Sequence, residues 1–459
     1  MSAMRRHNRY SRRAVLSRAA GGAAALTMGP GLLAACGDDD DSGGGGGGSG
    51  EATAWMWGDA TELADWLRGV TADFKASQGG GDVQVAVQQV ETLVSNFAAA
   101  AAARKGPDVA AQWATQPVLA QAWAGAVEPL DDLVPESERS HWVFQQENQY
   151  GGKQWAAPLY VIGQPFCYNK KLFEQAGLDP EAPPETWDEL LAACSALKAE
   201  GITPLAIGNK DTFGGRWAWA FLAVQTLDSL DDLKPPLLGE ASFADPKYSE
   251  WAVRWKELID NGYYNEDAMS LDGQGGYDVF GSGKAAMAWA VENGALAWGE
   301  ALGEENVAQL DFPKYGTGKL ADSYTATQST SYFITSWSEE KELGAEFLQF
   351  LHQPEQLKSQ FETCNVIPAD DRFDRSVITN PLHKSLADRA SSGLQIWLEN
   401  WIPPSVDETA NGPGGQKLMT GGSVEEVTAL WDQQAKVWRE QNPDIAKRFE
   451  EWQMTPVSV

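Results

Sequence analysis

The sequence predicts an α/β protein with mainly parallel sheets flanked by helices. Strand-like and helix-like segments alternate along the chain, and glycine or proline marks most of the changes between them. Residues 52–57 form a short apolar run that ends at Gly58-Asp59, which reads as a buried strand followed by a turn. Thr61 can cap the next helix, whose Leu63, Leu67, Val70 and Phe74 fall on one face, and glycines 79–81 stop it. Val83, Val85 and Val87 alternate as a half-buried strand does. Glu91 is expected in the loop before an alanine-rich helix that runs to Arg104. Gly106-Pro107-Asp108 turns the chain into a strand over residues 109–111, and the loop Gln112-Trp113-Ala114-Thr115 follows.

Composition narrows the function classes. Removing residues 1–35 takes away six arginines and no acid, leaving 29 basic against 64 acidic residues, a net charge near −35. Nucleic acid needs a basic footprint, so this charge argues against it as a partner. The chain is long enough for two lobes. Once Cys36 is set aside, Cys167, Cys194 and Cys364 allow at most one disulfide and match no metal spacing. Some of the 20 tryptophans must be core, but so many raise the question of which indoles face a ligand. No internal repeat is present.

The first 50 residues read as an export and anchoring segment. Arg5, Arg6 and Arg9 precede Ser11-Arg12-Arg13, and a short Ala/Gly-rich apolar stretch leads to Leu33-Ala34-Ala35-Cys36. Basic head, apolar middle and small residues before a cut site are the parts of a secretory signal. Ser11-Arg12-Arg13 resembles a twin-arginine signal, although Val15 and Ser17 replace the usual Phe and Lys. Leu33-Ala34-Ala35-Cys36 resembles a lipobox, which implies a signal peptide over 1–35 and a diacylglyceryl group on Cys36. Residues 36–50, with four aspartates and a glycine tract, would then be the lipid anchor and linker, reaching roughly 20 Å on average. The protein is expected at the extracellular face of the cell membrane.

Four further motifs occur in order. They are Cys167-Tyr168-Asn169-Lys170-Lys171-Leu172-Phe173, Pro183-Pro184-Glu185-Thr186-Trp187-Asp188-Glu189-Leu190-Leu191, Phe280-Gly281-Ser282-Gly283-Lys284-Ala285-Ala286-Met287, and Ala345-Glu346-Phe347-Leu348-Gln349-Phe350-Leu351. In the second, Thr186 and Glu189 make a capping box. Leu190, Leu191, Cys194 and Leu197 form the apolar face, and Gly201 ends the helix. Each motif alone is cap, turn and core chemistry. Together, behind a lipobox, they resemble the extracellular solute-binding proteins of sugar-importing ABC transporters, the maltose-binding-protein-like group. The likeness covers roughly residues 52–432.

That resemblance implies a two-lobed fold of the periplasmic-binding-protein type, with residues 51–161 and 330–366 in lobe 1 and residues 164–325 and 367–459 in lobe 2. It implies a carbohydrate, mono- or oligosaccharide, held in the cleft, hinge closure around it, and a permease that recognises the loaded form. It implies a monomer with no cofactor and no catalysis.

A sugar presents an apolar C–H face and a rim of hydroxyls, which call for aromatic rings and planar polar groups in the loops after strands. The candidates in lobe 1 are Trp57, Asp59, Glu91, Gln112, Trp113 and Tyr160, and Asp59 equally suits a helix-capping turn. Those in lobe 2 are Arg216 and Trp217, then Trp289, Glu292 and Asn293 after the Met287 strand, with the cleft-facing one of the three left open. Trp397 and Trp401 suit stacking or core, and Glu408 and Asn411 sit where relatives add late contacts. The rival readings are a surface glycoside hydrolase, which needs two carboxylates at a set separation, and a ferric-ion binder using Tyr263-Tyr264. An adhesive lipoprotein is a third.

Overall fold

The computed structural model describes residues 50–58, 61–77 and 81–458. Cys36, the arginine motif and Asp59 lie outside the described residues. No helix among the described residues is long and apolar enough to cross a membrane.

Two sheets, each with its own apolar core, make the two lobes. In the first, the order is Asp82–Gln88, Glu51–Trp57, Val109–Trp113, Thr330–Thr335, Val127–Glu128. The first three strands are parallel to one another. Alternation works as read: Ala52, Ala54 and Met56 are fully buried, while Glu51 and Thr53 point outward. The helix Thr61–Ser77 sets Phe74 edge-on to Phe347 and Phe350, each at 5.3 Å, so the helix Lys341–Leu351 covers the same face.

Two local expectations are corrected. Glu91 does not sit in a loop. The helix Val90–Ala103 begins one residue before it, with Gln89 as the extended N-cap. Gln112 and Trp113 are the last residues of their strand rather than loop, because Thr330–Thr335 runs antiparallel beside them and pairs Ser331 with Gln112 and Thr330 with Trp113.

The second sheet is ordered Thr203–Leu205, Ala285–Trp289, Phe166–Asn169, Val307–Leu310. Only its first pairing is parallel, since Phe166–Asn169 arrives from the other lobe and runs against both neighbours. The sequence motifs here are framework. Asn169 accepts hydrogen bonds from the amides of Lys171 and Leu172 at a helix start, and Tyr168 donates to the Pro180 carbonyl at 2.8 Å. The Thr186–Glu189 capping box is formed. Two helices, Phe213–Ala223 and Gly412–Met419, cross at Gly215 and Gly415. A Cβ on Gly215 would lie 2.9 Å from the Gly415 Cα, so only glycine permits this approach.

Cys167 and Cys194 are buried and Cys364 is half-buried, all three as free thiols, and burial pushes Cys364 up to about 12. Tyr264 accepts a hydrogen bond from the Trp255 indole at 3.0 Å within the core. Among the described residues, no group of three His, Cys, Asp or Glu side chains could hold a metal ion.

A small third sheet joins the halves. Tyr160–Gly163 is its middle strand, flanked antiparallel by Ala326–Gln328 and Ile367–Pro368. Around it buried polar groups are linked in series. Asn148 donates to the Ser331 hydroxyl at 2.7 Å, and Ser331 donates to the Gln328 side chain at 3.2 Å. Glu147, 1% exposed, accepts from the Thr327 hydroxyl at 2.7 Å and the Gln328 amide at 3.2 Å. Its other carboxylate oxygen has no partner in the protein. Burial raises the Glu147 pKa from 4.5 to about 8, outweighing those hydrogen bonds.

Two outcomes are expected. Gly215→Val should lower stability by about 1–3 kcal/mol, read as a fall in urea midpoint, because the two helices must separate; an unchanged midpoint would refute the close crossing. A carboxyl whose folded pKa is raised binds more protons folded than unfolded. Its contribution is therefore full below about pH 4.5 and is lost as pH rises through about 8. Glu147→Gln should flatten the decline of melting temperature over that window, and a parallel decline in both proteins would contradict this.

Candidate functional site

Three candidates of the first lobe meet where strands end. Trp57 closes Glu51–Trp57, Trp113 closes Val109–Trp113, and Tyr160 opens the crossing strand. The Trp57 ring lies 5.5 Å from Trp113, edge to face, and 6.4 Å from Tyr160, nearly parallel. Both indoles are half-buried, and Ser329 donates to the Tyr160 hydroxyl at 2.9 Å. At these strand ends are polar atoms hidden from solvent without a partner among the described residues: the Trp57 indole nitrogen and the Gln112 amide nitrogen; both ends of the fully buried Gln164, beyond the far end of the crossing strand, are likewise unpartnered. Such atoms are costly unless something else satisfies them.

The loop after Trp113 is strained. Thr115 has φ 69° and ψ −121°, a conformation that costs a non-glycine residue about 1–3 kcal/mol. Its amide donates to Asn148 at 3.0 Å, which ties the loop to the polar series beneath the crossing strands. That series reaches the second lobe, where Asn400 donates to the Thr327 hydroxyl at 3.3 Å. The helix Gln116–Trp123, which follows the loop, packs against the segment Leu398–Trp401.

There a second constellation forms. Arg216 binds Asp407 at 2.9 Å, and Asn411 donates to the other Asp407 oxygen at 2.8 Å. Trp397 donates to Glu399 at 2.7 Å and meets the Trp217 ring edge to face at 6.4 Å. The Arg216 guanidinium also covers the Phe213 ring at 5.6 Å. Burial raises Glu399 to about 7, with Asp407 repulsion adding to it; the Trp397 indole and Arg216 pull the other way. Glu408, on the exposed side, is raised by burial of its carboxyl and by Asp407, and lowered by Arg216. Planar donors and acceptors beside indole faces can bind a polyhydroxylated ring.

Other candidates are placed elsewhere. Trp289 packs among Phe166, Phe221, Phe312 and Tyr264. A cavity of about 10 Å³, room for roughly one water, lies between it and Trp217. Trp401, 1% exposed, stacks on Trp452 at 5.3 Å with rings 4° from parallel. Glu292 is buried 3.6 Å from His383, with its carboxyl pushed up to about 8 by burial, and Asn293 is exposed. Glu91 occupies the first turn of its helix, as described above. The residues that sequence reasoning passed over are Glu147, Gln164, Glu399 and Asp407. One signal was available: residues 327–331 are five consecutive polar residues, all buried.

Comparison with known proteins agrees with this architecture. Residues 57–358 match the family described as bacterial extracellular solute-binding protein. An uncharacterised ABC transporter extracellular-binding protein of Pyrococcus horikoshii is 28% identical over 169 residues, 33% of this chain and 38% of that protein. The sn-glycerol-3-phosphate-binding periplasmic protein of Escherichia coli is 24% identical over 274 residues, 53% of this chain and 57% of its own length. The matched stretches thus span less than two thirds of these relatives. Among solved structures, a chitin oligosaccharide binding protein superposes with a TM-score of 0.75 at 24% identity, covering 86% of this chain and all of that one. The GacH receptor of Streptomyces glaucescens gives 0.68 at 18% identity, covering 86% and 98%. With a family match across two thirds of its length, on a two-lobed α/β fold, this chain belongs to the bacterial extracellular solute-binding proteins.

Proposed function

We propose that this protein captures a carbohydrate between its lobes and hands it to the permease of an ABC transporter, and that Cys36 tethers it by lipid at the extracellular face of the membrane. The observation that carries the reading is that each lobe brings aromatic rings and polar groups together. Trp57, Trp113 and Tyr160 lie in one lobe. Trp217 and Trp397, with Arg216, Glu408 and Asn411, lie in the other. Rings suit the C–H face of a sugar, and hidden unpaired amides suit its hydroxyls. Discrimination follows, because a solute lacking a hydroxyl leaves such a group unpaired.

Two structural neighbours, a chitin oligosaccharide binding protein and a receptor solved in complex with acarbose, support a saccharide. Closure would be a hinge motion about the three crossing strands, biased by a ligand that touches both lobes. One acyl chain holds a protein only marginally, so the two chains of a diacylglyceryl group on Cys36 would give stable attachment.

A thermal-shift panel of mono- and oligosaccharides tests the reading, since binding to the native state alone raises the melting temperature with concentration. At least one saccharide should do so. Trp113→Ala should weaken that saccharide by more than about tenfold. A panel without any shift, or a Trp113→Ala protein with unchanged affinity, would overturn it.

A further inference from the structure

Glu147 lies against the crossing strand Ala326–Gln328 in a set of hydrogen bonds that only its neutral form completes. Ser329 donates its amide to the Tyr160 carbonyl, and Gln164 donates to the Thr325 carbonyl. Antiparallel partners alternate, so Gln328 turns its backbone groups to the other edge of the strand. At that edge the Gln328 amide donates to Glu147 Oε2 at 3.2 Å, and the Gln328 carbonyl lies 3.0 Å from the Thr327 hydroxyl. The same hydroxyl oxygen is 2.7 Å from Glu147 Oε2 and accepts from the Asn400 side-chain amide at 3.3 Å.

A hydroxyl has one proton and two lone pairs. With Glu147 ionised, the Thr327 proton is drawn to the carboxylate. The Gln328 carbonyl then loses its donor, and the second carboxylate oxygen is hidden without a partner among the described residues. With Glu147 neutral, its own proton goes to the Thr327 oxygen and the Thr327 proton goes to the Gln328 carbonyl. Asn400 takes the remaining lone pair, and the chain of bonds closes. The lengths agree, since charge-assisted bonds shorten to roughly 2.7–2.9 Å while the Gln328 amide stays at 3.2 Å. Burial favours the same neutral form.

Thr327 is held from both lobes. Asn148, next to Glu147, donates to Ser331 of the first sheet, and Asn400 lies between Leu398 and Trp401, both in the core of the second lobe. The titratable groups on the elements around Glu147 are engaged elsewhere. Lys153 is exposed and Tyr332 is buried with its phenol raised by burial. His352 meets Asp370 and the Pro158 carbonyl, Tyr160 accepts from Ser329, and Glu399 accepts from Trp397.

We propose that Glu147 is a proton-operated latch of the hinge: with its proton it fastens the crossing strand through Thr327, and without it the strand is loosened. This device acts whatever solute the protein carries.

Amide hydrogen exchange of the full chain tests it at Gln164 and Ser329, with the helix Trp187–Ala199 as internal reference. Between about pH 6.5 and about pH 9 these two amides should lose at least about tenfold of their protection relative to that helix. Glu147→Gln, whose amide donates to Thr327 at every pH, should abolish the loss. Thr327→Val removes the relay, should leave both amides fast without that pH dependence, and serves if the first variant does not fold. Protection that holds across the range in the native protein would overturn the inference. So would a loss that persists in either variant, which would assign it to another group, such as Glu292, whose carboxyl is also raised by burial and takes a hydrogen bond from the Gly163 backbone of the crossing strand.

Discussion

The constraint on which the molecule depends is that three chain segments pass between two sheets without stranding their polar groups in an apolar interior. Tyr160–Gly163 carries the other two segments on its edges, so backbone pairs with backbone. Side chains complete the arrangement. Glu147 accepts from Thr327 and Gln328 above one crossing. Asp370 follows another, where burial would raise its carboxyl but hydrogen bonds from Arg372 and His352 hold it down to about 2. His352 also meets the Pro158 carbonyl at 2.9 Å, fastening that crossing to the first sheet. Polar links of this kind have direction and length, so they define discrete arrangements better than apolar contact does.

The framework was legible because its signals are local. A capping box needs only Thr186 and Glu189 three residues apart, and an alternating strand needs only every second residue between 52 and 56. The antiparallel strands were not legible. Whether Thr330–Thr335 or Phe166–Asn169 runs with or against its neighbours depends on where the chain has travelled in between, and no periodicity records that. Glu91 and Gln112 slipped by a residue or two for the usual reason that element ends depend on their partners.

The site was half legible. Trp57 and Trp113 were chosen because strand ends are where ligands meet an open sheet, and the structure brings their rings to 5.5 Å of each other. The second-lobe surface was harder. Trp217 was chosen over Trp219 although the helix Phe213–Ala223 is buried on nearly every side and its pattern shows no solvent face. Trp219 packs at 5.1 Å on Trp431 in the core, and Trp217 meets Trp397. Glu399 sits between two tryptophans and looks in sequence like one more polar residue of a short turn. Only the fold reveals that Arg216 and Asp407, from two distant segments, close around it.

The charge of the whole chain and the charge of the site are separate matters. The acid excess lies over the surface and serves solubility, while Glu399 is raised by burial in a small cluster with one cation. That cluster is also where the site touches the crossings. Glu399 and Asn400 are adjacent in the segment Leu398–Trp401. Asn400 donates to the same Thr327 hydroxyl that donates to Glu147. A solute that draws on Glu399 therefore acts on a segment already bonded to a crossing strand, and only a solute whose contacts differ between open and closed lobes can shift their balance. On the proposed reading, recognition and closure share one short stretch of backbone, so a change in the chemistry of the first would be felt in the equilibrium of the second.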